Sequence, residues 1–127
     1  MADALSFSLV SPERELYAGD VSHVVLPGQE GQFQVGPGHA PLMATLSPGR
    51  LMVVTAGGQK GFFVRGGFAD VTSRGLTVLA ELAIPEDELT NTVISEQREW
   101  AEGVKKDEES SPEQVIDAQR AEEALNA

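Results

Sequence analysis

Hydrophobic and polar residues change their rhythm once along this chain. From Leu5 to about residue 84 they alternate as strands do, and after Pro85 the spacing lengthens toward that of helices. In "SFSLVS", Phe7 and Leu9 share one face and the serines take the other. "DVSHVVLPG" is a second apolar strand, closed by Pro27-Gly28, and "GQFQV" alternates again with Phe33 and Val35 on one face. "GRLMVVTA" is apolar nearly throughout, the pattern of a strand covered on both sides. Gly57-Gly58 then separates two strand patterns and predicts a hairpin whose turn residues both take positive φ. Phe68–Val71 and Leu76–Ala80 form a last pair joined by Ser-Arg-Gly. The short connections predict an antiparallel β-sandwich or flattened barrel rather than a parallel sheet with crossover helices.

Helix formers take over at Pro85. Glu86, Asp87 and Glu88 suit the first turn of a helix and Lys105-Lys106 its last, since the macrodipole favours these signs at those ends. Leu89, Val93, Trp100 and Val104 make its apolar stripe, thinned by Glu96 and Gln97. After the polar break "DEESSPEQ", Ser111-Pro112-Glu113-Gln114 has the form of a capping box, with Pro at the first helical position. A second short helix follows, edged by Val115, Ala118, Ala121 and Leu125. Alone it is marginal, so the expected arrangement is a helical hairpin. The organisation read here is a sandwich over residues 1–84 and an acidic two-helix region over 85–127.

Charge sharpens that division. Of the net −11, residues 1–84 carry −2 (seven acids, five bases) and residues 85–127 carry −9 (thirteen acids, four bases). Such a surface repels phosphates, so no nucleic-acid partner is expected. No apolar run approaches the roughly 20 residues of a spanning helix. "MADALSFSLVSPE" has neither a basic nor an apolar leader region, so no signal peptide is expected. The chain has no cysteine, which removes disulfides, thiolate ligands and thiol nucleophiles.

The candidate chemistry is correspondingly thin. His23 and His39 are the only histidines, too few for a zinc site of three or four ligands without cysteine. No serine or aspartate pairs recognisably with His39 as a triad would require. His39 instead lies in Pro37-Gly38-His39-Ala40-Pro41, where the prolines stiffen and Gly36 and Gly38 permit a tight bend, so a rigid corner or a contact surface is the reading. Gly28-Gln29-Glu30-Gly31-Gln32 fails as a phosphate cradle: a strand follows it, and Glu30 has the wrong charge. It reads as an exposed turn between strands, able to serve as a docking tip. "GGF" at 66–68 marks a bulge or a close backbone approach, and Trp100 reads as a packing residue.

Three stretches, "FSLVSPERELYAGDV", "VVLPGQEGQFQVGPGHAPLMATLSPGRLMV" and "VRGGFADVTSRGLTVLAELA", together resemble the epsilon-subunit family of the F-type ATP synthase. The resemblance is strong over residues 5–84 and architectural over 85–127. It implies a sandwich of about ten strands followed by a helical hairpin. It also implies a non-catalytic rotor subunit, without metal or cofactor, clamped to the gamma subunit and seated on the c-subunit ring, so that proton flow is coupled to ATP synthesis. By the same resemblance Gln29, Glu30, Gly31 and Gln32 form the turn that meets the ring, and Pro37–Pro41 a rigid part of the docking scaffold. Many members carry an acid where this chain has Gln32, which leaves Glu30 as the charged candidate. The helices could reach the alpha/beta catalytic head. In relatives that insert them to block hydrolysis basic residues are used, whereas this tail carries −9, so weak or no inhibition is expected. The implied place is the cytoplasmic face of the bacterial membrane, held only through partners.

Ile116-Asp117-Ala118-Gln119-Arg120-Ala121 fits the Ile/Leu-Asp-x-x-Arg-Ala pattern with which some members bind ATP. Those members place it at the start of the first helix, and here it falls in the second. The plainer reading is an ordinary amphipathic helix. The competing functional class for the whole chain is a free-standing β-sandwich ligand-binding module. It would need a pocket with converging polar groups near His39 or His23, whereas a docking subunit would show a flat apolar patch.

Overall fold

The computed structural model describes residues 4–126. Eight strands come first: β1 (Leu5–Val10), β2 (Glu15–Val21), β3 (His23–Gly28), β4 (Gly31–Val35), β5 (Leu42–Thr55), β6 (Gly58–Thr72), β7 (Gly75–Ala80) and β8 (Ala83–Pro85). A 3-10 turn (Glu86–Glu88) leads to α1 (Asn91–Lys106) and α2 (Pro112–Leu125).

The strands form one hydrogen-bonded sheet in the order β2-β1-β7-β6-β5-β3-β4, with β8 on β6. A 14-residue strand such as β5 would run about 46 Å if straight, well beyond a small domain, so the long strands must bend from one layer into the other. Alternation lapses where they do so: Leu46, Ser47, Pro48 and Gly49 are all buried. Counting each long strand by its two limbs reconciles the eight continuous strands with the expected sandwich of about ten. The sheet closes over a single core to which every strand contributes, including Phe7, Leu9, Val24, Val35, Leu51, Phe62, Val71, Val78 and Ala83.

One pairing departs from the antiparallel expectation. β1 lies parallel to β7, with Phe7 opposite Leu76 and Leu9 opposite Val78. These strands are far apart in sequence and no hairpin joins them, so their relative direction is not bound by a short turn. The Gly57-Gly58 hairpin also differs. Thr55 pairs with Gly58, so the turn residues are Ala56 and Gly57, and of the two glycines only Gly58 has positive φ, +141°.

The first helix starts later than its acids suggest. Glu86 and Glu88 do not open α1. They anchor the connecting turn through Arg50 (Nη2 to Glu86 Oε1, 2.7 Å) and Arg14 (Nη2 to Glu88 Oε1, 2.8 Å). α1 is capped by Thr90, whose hydroxyl accepts from the Val93 N–H. Leu89 therefore packs from outside the helix, and Ile94 and Ala101 join the inward stripe. At α2 the capping box forms as its residues require: Ser111 Oγ accepts from Gln114 N, and Gln114 Oε1 accepts from Ser111 N. Ser111→Ala should destabilise α2 by about 1 kcal/mol, read as roughly fivefold faster amide exchange over Val115–Ala118.

The helices form a hairpin that rests on the sandwich. Ala118 and Ala121 let α2 approach β5 closely, and Ala121 and Leu125 pack with Phe63, Ile84 and Trp100. This covering explains why Phe62 and Phe63 are both buried, one on the core side of β6 and one beneath the helices. Arg65 lies 4.3 Å over the Trp100 ring and donates to Gln97 Oε1, tying α1 to β6.

Candidate docking surfaces

The β3–β4 hairpin is a tight, braced tip. Gly28 pairs with Gly31, and a Cβ on Gly28 would meet Gly31 O at 2.6 Å and the Phe33 ring at 2.9 Å. Gly31 takes φ +134°, which a side chain disfavours. Gln29 N–H donates to Thr45 O at 3.1 Å, and Arg120 Nη1 donates to Gln29 O at 3.3 Å. The turn is thus held from β5 on one side and from α2 on the other. Gln29, Glu30, Gly31 and Gln32 are all exposed, and among the described residues Glu30 has no ion-pair partner.

The corner at residues 36–41 is a type II turn. Pro37 is its second residue, Gly38 its third with φ +75°, and His39 N–H returns to Gly36 O. The His39 ring is half-buried, and its Nδ1 lies 2.7 Å from Ala40 O. Asp20 and Arg74 line the hollow of about 430 Å³ beside it. Among the described residues no group of three or more His, Asp or Glu side chains is placed to hold a metal. Glycines, prolines and hydroxyl residues, such as Gly36, Pro37, Ser6 and Thr72, share the rest of the lining with Leu5 and Val71.

The motif residues of α2 serve three different surroundings. Ala121 is buried, Ile116 is exposed, and Arg120 braces the tip. The Asp117 carboxyl is held above its ordinary pKa by burial, an effect that nearby Arg120 opposes and Glu113 assists. Asp117 lines a groove of about 460 Å³ together with the polar residues Arg65, Glu81 and Gln29 and the apolar Val10, Phe68 and Leu79.

Val10, Phe68 and Leu79 belong to a feature the alternation of single strands did not reveal. Strand register puts Thr45, Phe68, Leu79 and Val10 in one row across β5, β6, β7 and β1, and Met43, Asp70, Thr77 and Ser8 in the next. Their neighbours along each strand, such as Ala69 and Val78, point into the core, so both rows face outward. Met43 is 73% exposed, Leu79 56% and Phe68 55%. The signal was present in "GFAD" and "LTVLA", where apolar residues occupy both strand faces, but only the register joins them into one surface.

Comparison with known proteins decides what this architecture belongs to. Residues 4–86 match the model of the ATP synthase delta/epsilon chain beta-sandwich domain. The chain is 48% identical over 113 residues to the ATP synthase epsilon chain of Maricaulis maris, covering 86% of this chain and 85% of that one. It is 52% identical over 95 residues to that of Parvibaculum lavamentivorans, covering 74% and 72%. The chain belongs to the epsilon-chain family of the F-type ATP synthase. The family match runs through β8 to the first residue of the 3-10 turn.

Solved structures agree on the fold. A chain in the cryo-EM structure of the Euglena gracilis mitochondrial ATP synthase superposes with a TM-score of 0.71 at 21% identity, covering 97% of this chain and 78% of that one. A chain in the central stalk and c-ring structure of the Tetrahymena thermophila mitochondrial enzyme gives 0.63 at 12% identity, covering 98% and 95%. Both matches extend over the sandwich and the helices together.

Proposed function

We propose that this chain is the central-stalk rotor subunit that fixes gamma to the c-subunit ring, so that proton flow drives ATP synthesis, and that it has no active site of its own. The observation that carries the reading is the pair of adjoining docking elements on one sandwich. The apolar face of Met43, Phe68 and Leu79 suits a permanent protein partner, gamma, and the braced tip at Gln29–Gln32 suits the polar loops of the ring. The corner at Pro37–Pro41 leads directly into Leu42 and Met43, and so sets where the apolar face begins. The subunit sits at the cytoplasmic face of the bacterial membrane and is held there by its partners. Co-purification tests the reading: tagged chain from its own cells should bring down gamma, alpha and beta in near-stoichiometric amounts. Recovery of the chain alone, from cells whose complexes are shown intact through another subunit, would overturn it.

The tail acts as a folded appendage rather than an inhibitor. Its −9 charge opposes insertion into the catalytic head. Removing residues 91–127, which spares the Arg50–Glu86 and Arg14–Glu88 pairs, should change ATP hydrolysis by the assembled enzyme by less than about threefold, the size expected where no favourable contact is lost. A larger rise would show that the tail inhibits. Ile116, Asp117, Arg120 and Ala121 act as helix residues that pack the tail and brace the tip. Saturable heat on titration with millimolar ATP would reassign them to nucleotide binding.

A further inference from the structure

The outward face sets Met43, Phe68, Leu79 and Val10 among hydroxyl side chains and one charge. In the block formed by Met43, Thr45, Phe68, Asp70, Thr77, Leu79, Ser8 and Val10, Asp70 is the single charged residue. It is exposed, with Met43 directly opposite on β5 and Thr77 directly opposite on β7. Phe68 lies two residues along the same strand, on the same face. Among the described residues no side chain forms an ion pair with Asp70. The other acids of this side stand at its margins: Asp20 and Glu15 on the outer strand β2, Glu81 beyond the end of β7, and Asp117 of α2 in the groove beside Phe68 and Leu79. Arg74 lies in the turn after β6.

A lone carboxylate in water costs nothing. The same carboxylate sealed beneath a partner, between a methionine and a phenylalanine, loses its hydration, a penalty of several kcal/mol unless it is paired. Met43 and Phe68 cannot be buried without burying Asp70, because strands about 4.8 Å apart place it within one strand spacing of Met43. We infer that the gamma surface covering this face presents a basic side chain that pairs with Asp70, and that the pair sets the partner's register and selects against surfaces lacking the base. This inference rests on the docking reading of the face. An arginine fits best, since its planar guanidinium can meet both carboxylate oxygens, and Thr77 and Ser8 in the same row offer hydroxyls to the remaining polar atoms.

The test is equilibrium binding of the full chain to the gamma subunit of the same organism, across a salt series, with folding of each variant checked by thermal melting. Leu79→Ser reports on the face itself. Asp70→Asn keeps the shape and removes the charge, Asp70→Glu keeps the charge, and Asp70→Lys reverses it. We expect Asp70→Asn to weaken binding at least about 30-fold, the scale for one member of a buried charged pair. Asp70→Glu should retain most of the affinity, and Asp70→Lys should be rescued by an Arg→Glu or Lys→Glu change on gamma. Binding by Asp70→Asn within threefold of the native chain, with Leu79→Ser weakened, overturns the pair and leaves the docking face standing. Unchanged binding by Leu79→Ser overturns the docking face, and the pair with it.

Discussion

Gly67→Val will severely destabilise the sandwich. Gly67 has φ +140°, outside the range a β-branched residue adopts, and its neighbour Gly66 has φ +113°. A Cβ at position 67 would also run into the backbone of β7, at Leu79 O and the Ala80 Cα. Neither atom can swing aside as a side-chain tip could, because Ala80 pairs with Gly67 and Leu79 with Phe68. Gly67 is paired on its other side with Leu46, so any shift of β6 propagates into β5. Strain and overlap together should cost more than about 4 kcal/mol, out of a total on the order of 5–15 kcal/mol. The expected result is little soluble protein and a melting temperature lowered by more than about 15 °C. A variant melting within about 5 °C of the native chain would show that the β6–β7 approach is looser than its geometry implies.

This position illustrates what the sequence conveyed. "GGF" announced a bulge or a close backbone approach, and the structure supplies the approach at Leu79 and Ala80. Pro37-Gly38 announced a bend and became a type II turn, because proline fixes φ at the second position and glycine tolerates the positive φ required at the third. The capping box at Ser111 formed because all its partners lie within four residues. Where partners are distant, local reading failed. Glu86–Glu88 looked like the first turn of a helix, but Arg50 and Arg14 claim two of the three acids from 36 and 74 residues away. The parallel β1–β7 pair is of the same kind, a long-range contact that no turn residue encodes. The outward rows required register, which alternation within one strand does not fix. Arg65 over Trp100 likewise joins elements whose separation in sequence hid their contact.

The double variant Phe68→Ala/Leu79→Ala should abolish stable association with gamma while leaving the isolated chain folded. The two residues are cross-strand partners on β6 and β7, and both are more than half exposed. Their removal therefore opens no cavity in the core, which Ala69 and Val78 line from the opposite face. The monomer should melt within a few degrees of the native chain, since exposed substitutions away from caps and glycines change stability by only about 0.5 kcal/mol. In the complex the arithmetic differs. A buried phenylalanine or leucine contributes about 1.5–3 kcal/mol by area removed from water, and truncation at the centre of an interface commonly costs about 2 kcal/mol or more. Two such losses side by side approach 4 kcal/mol, roughly a thousandfold in the dissociation constant. Met43, with no direct pairing to either residue, serves as the graded control: Met43→Ala alone should weaken binding by about tenfold. A double variant that still co-purifies with gamma at native stoichiometry, from cells expressing no native copy, would remove this face from the docking surface. The partner would then have to be sought at the His39 corner, where Asp20 and Arg74 line the hollow and charge would carry the recognition.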